Sequence, residues 1–143
     1  MTEIKRSLVK PALDTPFHID FSWWKQNDRE WLVYLRGLID PQYQSLLDGI
    51  DPDAPVDWVD PETAEVKQVD AVQYLLTTHL ADEHTLVGEG TSMIESIFRI
   101  FLKNGNAPLD AQQMGELLDR PAQTILRTLT GGRVYRGIRP IGE

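Results

Sequence analysis

Asp110-Ala-Gln-Gln-Met-Gly115-Glu-Leu-Leu-Asp119-Arg120-Pro121-Ala-Gln-Thr-Ile125-Leu-Arg127-Thr-Leu129-Thr130 is the stretch on which the fold turns. Asp110 with Gln113 has the spacing of a capping box, in which each side chain satisfies the other residue's backbone N–H. Ala111, Met114, Leu117 and Leu118 then recur on one side of a two-turn helix. Asp119-Arg120-Pro121 interrupts it, and proline suits the first turn of a helix because its missing N–H is needed by no partner there. Ala122, Ile125, Leu126 and Leu129 make a second apolar stripe, which leaves Arg120, Gln123, Thr124 and Arg127 on the opposite side at helical spacing.

Immediately upstream, Ser92-Met93-Ile94-Glu95 opens another helix with the same capping logic. Its apolar side is Ile94, Ile97, Phe98 and Phe101, and Asn104-Gly105-Asn106 supplies the stop. Two short amphipathic helices across a tight turn, with a third in front, resemble the helix-turn-helix family as found in bacterial winged-helix regulators. The resemblance covers about residues 93–139. It is carried by Leu109-Asp110, by Met114 and Leu118, by small Gly115 where the helices approach, and by Thr124-Ile125-x-Arg127-x-Leu129. It departs from the family at Asp119, where a glycine is usual.

The resemblance implies that the second short helix enters the DNA major groove, with dimerisation setting two such helices on successive turns of the duplex. Arg120, Gln123, Thr124 and Arg127 are then the groove contacts, since Arg bridges guanine O6 and N7, Gln pairs with adenine and Thr reaches a base edge or phosphate. Gly131-Gly-Arg133-Val-Tyr-Arg136-Gly-Ile-Arg139-Pro140 resembles half of a wing, with Arg133, Arg136 and Arg139 suited to phosphates. The same segment can instead be a tail that pairs with an edge strand elsewhere.

Outward from this unit the chain changes character. Residues 1–93 carry seven Lys+Arg and seventeen Asp+Glu, net −10, whereas residues 94–143 carry seven and five, net +2. An acidic middle followed by a basic end is a hint of an anionic partner for that end. The plain alternative is that the two ends neutralise each other within the fold. Pro11 and Pro16 keep the first 21 residues extended, and Phe17-His18-Ile19-Asp20-Phe21 alternates like an edge strand. Trp24, Trp31, Leu32, Leu35, Leu38 and Ile39 predict one helix over 22–39, stopped by Asp40-Pro41, with a further helical turn over 43–50. Apolar runs at 56–59 and 65–69 flank Asp60-Pro61 and predict a β-hairpin. Asp70 caps a helix whose apolar face is Val72, Leu75, Leu76, His79 and Leu80.

The expected fold is therefore mainly α with a small β element, an α+β chain. An acidic, Trp-rich lobe (1–90) and a winged-helix-like lobe (91–143) meet at Gly88-Glu89-Gly90 and form one compact unit. With 143 residues and no cysteine, the chain can bury a core without staples, and thiolate metal sites, disulfides and thiol nucleophiles are excluded. The amino terminus has no signal-peptide apolar run, and the most apolar stretch, near 93–102, is too short for a bilayer and carries Glu95 and Arg99. A cytoplasmic location without membrane contact is expected.

Enzyme chemistry finds little footing. There is no phosphate-binding glycine loop, zinc-hydrolase pair or recognisable nucleophile motif. His79 and His84 diverge by roughly 140° around a helix, so with Glu83 they do not converge on a metal, and His79 reads as a hydrogen-bonded core residue. His18 and Asp20 share a strand face without a second acid or nucleophile. The acids between Asp48 and Glu65 do not follow a calcium-loop pattern and read as turn residues. No cofactor and no metal are expected. Trp23 and Trp24 diverge by about 100° on a helix, so at least one faces a partner, and both are nominated as a protein interface. Double-stranded DNA is the favoured partner, with a protein partner or homodimer, and hence a non-catalytic adaptor, as the alternative.

Overall fold

The computed structural model describes residues 10–79 and 92–141. Leu80, Glu83, His84 and the Gly88–Gly90 boundary lie outside the described residues. Among those described, seven α-helices and two small antiparallel sheets make a mixed α+β fold. None of these helices is long and apolar enough to cross a membrane.

β1 (Phe17–Ile19) leads into α1 (Phe21–Asn27), and Asp20 caps that helix by accepting from the Trp23 amide at 3.0 Å. The single helix expected over 22–39 is two, α1 and α2 (Trp31–Leu38). Asp28 breaks it. Its backbone is extended, and its carboxylate accepts from the Trp24 Nε1 at 3.0 Å and from the Glu30 amide at 2.9 Å. A short acidic side chain that bonds locally offers the backbone an alternative to the helix ladder. The consequence is a sharp fold-back. Residues seven apart on a straight helix are separated by about 10 Å along its axis, whereas the Trp24 and Trp31 rings meet edge-on with centroids 6.2 Å apart.

A 3-10 turn (Pro41–Tyr43) capped by Asp40 runs into α3 (Gln44–Asp48), in line with the expected helical turn. β2 (Val56–Val59) and β3 (Val66–Val69) form the expected hairpin, in the register Val56↔Val69 and Val59↔Val66. Asp60 closes its turn by accepting from the Glu62 amide, the main reason its carboxyl lies below the ordinary range. Asp70 caps α4 (Ala71–Thr78) by accepting from the Val72 and Gln73 amides, and it pairs with Lys25. Val72, Leu75 and Leu76 are buried as expected. His79 is not: it sits exposed at the helix end against Tyr74, because the helix stops one residue before it.

α5 (Met93–Lys103) begins at the Ser92 cap and buries Ile97, Phe98, Phe101 and Leu102. α6 (Ala111–Leu118) has the complete Asp110–Gln113 capping box, and α7 (Ala122–Thr130) follows across a tight turn. Asp119 adopts the left-handed conformation there, with φ +54°. Aspartate tolerates this region better than most residues, which explains how the turn forms without its usual glycine. Gly115 lets α6 and α7 touch: a Cβ on it would stand 2.6 Å from the Arg120 carbonyl oxygen.

The segment after α7 forms no wing hairpin. It turns through Arg136 (φ +50°) and Gly137 (φ +78°) and enters β4 (Ile138–Pro140), which pairs antiparallel with β1, His18 opposite Arg139. Phe17 exchanges backbone hydrogen bonds with Leu109 on the other edge of β1. The amino-terminal strand is thus central, between Leu109 and β4. One continuous core results, in which Trp24, Phe17 and Leu35 from the acidic part pack with Phe98, Met114, Ile125 and Ile138.

Candidate nucleic-acid interface

α7 buries Ile125 and Leu129 against α5 and α6, so its outer side is fixed by packing. Gln123 and Arg127 are exposed on that side and Thr124 is half-buried. Arg120 is exposed but precedes the helix. Pro121 is the N-cap, and its carbonyl accepts from the Thr124 and Ile125 amides at 3.0 and 3.2 Å. Arg120, Arg127 and Arg133 are all exposed and form no ion pair among the described residues. The face is not uniformly basic, because Glu116 and Asp119 share a shallow depression with Arg120 at the α6–α7 turn. Leu117, expected on the buried side of α6, is instead 61% exposed beside that turn. Around α6, Leu118 falls in line with buried Ala111 and Met114, and Leu117 lies about 100° away from it, on the solvent side.

Arg136 and Arg139 do not stand ready for phosphates. Arg139 donates to the Asp20 carboxylate at 3.3 Å and lies 5.1 Å from the centre of the Trp23 ring. Arg136 stacks on Tyr34 at 4.0 Å, with Asp28 3.9 Å away. Two of the three arginines of the basic tail are therefore spent on aromatics and acids of the amino-terminal part, which is the internal neutralisation that the charge asymmetry also allowed. Burial raises the Tyr34 hydroxyl above its ordinary range; Glu95 adds to the rise, and Arg136 and Arg99 offset it.

The nominated tryptophans separate. Trp24 is 0% exposed at the centre of Phe21, Trp31, Tyr34 and Phe98, with centroids 5.4 to 6.2 Å away, so it offers nothing to a partner. Trp23 is half-buried beneath Arg139. His18 is depressed below its ordinary value by burial, then by Arg139, against an opposing pull from Asp20. Among the described residues no group of three or more His, Cys, Asp or Glu converges to hold a metal.

Asn106 carries more than the helix stop that its sequence context marks. Its side-chain amide accepts from the Ile19 N–H and donates to the Ile19 carbonyl, both at 2.9 Å, and donates to Gln73 at 3.2 Å. It continues the edge that Leu109 begins along β1. Asp28 and Tyr34, which hold Arg136, were equally without a sequence signal, since each acts on a residue far along the chain. Comparisons with protein-family models, with curated proteins and with solved structures returned no match.

Proposed function

We propose that this protein is a non-enzymatic regulator that binds double-stranded DNA through the outer face of α7. The observation that carries the reading is the exposed set Gln123 and Arg127 on α7, flanked by Arg120 and Arg133, with no ion pair occupying any of the three guanidiniums among the described residues. A helix whose far side is locked into the core presents such groups without the entropy cost of ordering it on binding. Arg127 and Gln123 are the base-reading candidates, and Arg120 and Arg133 the phosphate contacts. Arg136 and Arg139 leave the phosphate set because their partners are internal.

A net charge of −8 opposes approach to DNA at long range, so binding must come from a local basic surface turned away from the acids. Amide chemical-shift mapping during titration with a mixed-sequence duplex tests this. Shifts confined to residues 120–133 are expected, and shifts centred on the hairpin or on Trp23 would overturn it. The second reading, a protein adaptor, draws on exposed Leu117 next to the same turn. It predicts no shifts with DNA, and association that is lost on Leu117→Asp.

A further inference from the structure

The break between α1 and α2 faces the loop leading from α7 to β4 across a cleft of about 500 Å³, a volume typical of small-molecule sites. We propose that this cleft binds a small organic anion bearing a planar ring, of the nucleoside-monophosphate class. It rests on observations separate from those behind DNA binding, with Arg133 common to both sites.

Three arginines line the cleft, Arg29, Arg133 and Arg136, together with the acids Asp28 and Glu30. Asp28 is already engaged, accepting from the Trp24 Nε1 at 3.0 Å and from the Glu30 amide at 2.9 Å. It also stands 3.9 Å from Arg136, an ion pair without a hydrogen bond. Arg136 is also held in place. Its backbone sits at φ +50°, which favours glycine, and its guanidinium rests 4.0 Å over Tyr34. Arg136 thus adds fixed positive charge to the cleft wall, and the forked oxygens of a phosphate or carboxylate are met by guanidiniums with no internal partner among the described residues. Arg29 and Arg133 are exposed and free of ion pairs among the described residues, and they add charge of the same sign.

The ring requirement comes from the remaining wall. Trp23 and Tyr135 both line the cleft, and Tyr135 is 43% exposed. An aromatic side chain left this open at the mouth of a charged cleft is a platform for a planar ligand group. Because Arg133 and Arg136 lie in the loop directly after α7, a bound anion would engage the segment that positions the end of that helix.

The test is calorimetric titration of the full-length chain with adenosine monophosphate, with phenylacetate as a second ring-bearing anion, and with adenosine and inorganic phosphate separately. Adenosine monophosphate should bind at least tenfold more tightly than adenosine, phosphate or phenylacetate. Arg133→Gln and Tyr135→Ala, both at exposed positions, should each weaken it about tenfold, the size of one charge-assisted or stacking contact. Three results would overturn the proposal: no heat from adenosine monophosphate at about 10 mM, well above the weakest specific affinities; phosphate or phenylacetate alone binding as tightly; or binding unchanged in both variants.

Discussion

Replacing Asn106 separates two physical effects that meet at one residue. The Ile19 N–H and C=O point to the same edge of β1 as those of Phe17, and Ile19 is only 1% exposed. Phe17 finds Leu109 there, whereas Ile19 finds only the Asn106 amide. Removing that amide leaves one buried donor and one buried acceptor unpaired, at about 1–3 kcal/mol each; partial entry of water brings the sum to about 2–4 kcal/mol. Asn106 also sits at φ +64°. Alanine there costs about 1 kcal/mol more than glycine, which tolerates the left-handed region. Asn106→Gly should therefore destabilise by about 2–4 kcal/mol and Asn106→Ala by about 1 kcal/mol beyond it. Urea unfolding reads both. With a slope of about 2 kcal/mol/M, the midpoints should fall by about 1–2 M for glycine and roughly another 0.5 M for alanine, with slopes unchanged. Asn106→Ala within about 0.5 kcal/mol of the parent, inside the range of ordinary surface substitutions, would refute the reasoning.

Gly115→Ala has a diagnostic sign. At an open helix position alanine stabilises by about 1 kcal/mol, but here the new Cβ would lie 2.6 Å from the Arg120 carbonyl oxygen. A net loss of about 1–3 kcal/mol is expected in denaturant melts, and a gain would mean that α6 and α7 do not touch. Trp24→Ala should cost about 3–5 kcal/mol, the range for emptying a large aromatic site; a near-neutral result in the same melts would contradict its central place in the core. His18 titrates below its ordinary value of 6.5 in the folded chain, chiefly through burial. The unfolded chain therefore takes up its proton first, so this contribution is complete above the unfolded value and is lost as pH falls below it. Stability measured from about pH 7.5 to 5 should decline less steeply in His18→Gln; identical profiles would remove His18 as a source.

Local chemistry was legible in the sequence. Asp70, Ser92 and Asp110 each act within three residues, and the structure has all three as helix caps. The hairpin, too, depends on neighbours in sequence. Misreadings occurred where distant or competing partners decide. The apolar spacing of Trp24 and Trp31 fits one helix as well as two, and the break comes from Asp28 drawing the Trp24 indole N–H and the Glu30 amide to itself. Pairing of β4 with β1 and the bond from Arg139 to Asp20 join residues at least 119 apart, so the arginine-rich tail reads as available to phosphates although two of its three arginines are committed. For the site, the pattern of α7 correctly placed Gln123 and Arg127 on an exposed side, because a helix with one buried stripe leaves only one other face. It could not show that Leu117 escapes the core, since that depends on which part of α6 its neighbours cover.

The central claim is that α7 presents a free basic face to DNA. Its most direct test is fluorescence anisotropy of a labelled mixed-sequence duplex titrated with the protein at several salt concentrations, alongside Arg127→Ala. With Arg120, Arg127 and Arg133 as the available cations, the logarithm of affinity should fall against the logarithm of salt with a slope of about −3 per protomer. Arg127→Ala should weaken binding by about 1–3 kcal/mol if it reads a base, or reduce the slope by about 1 if it meets a phosphate. Absence of binding at low salt, or binding that Arg127→Ala leaves unchanged in both affinity and slope, would contradict the account.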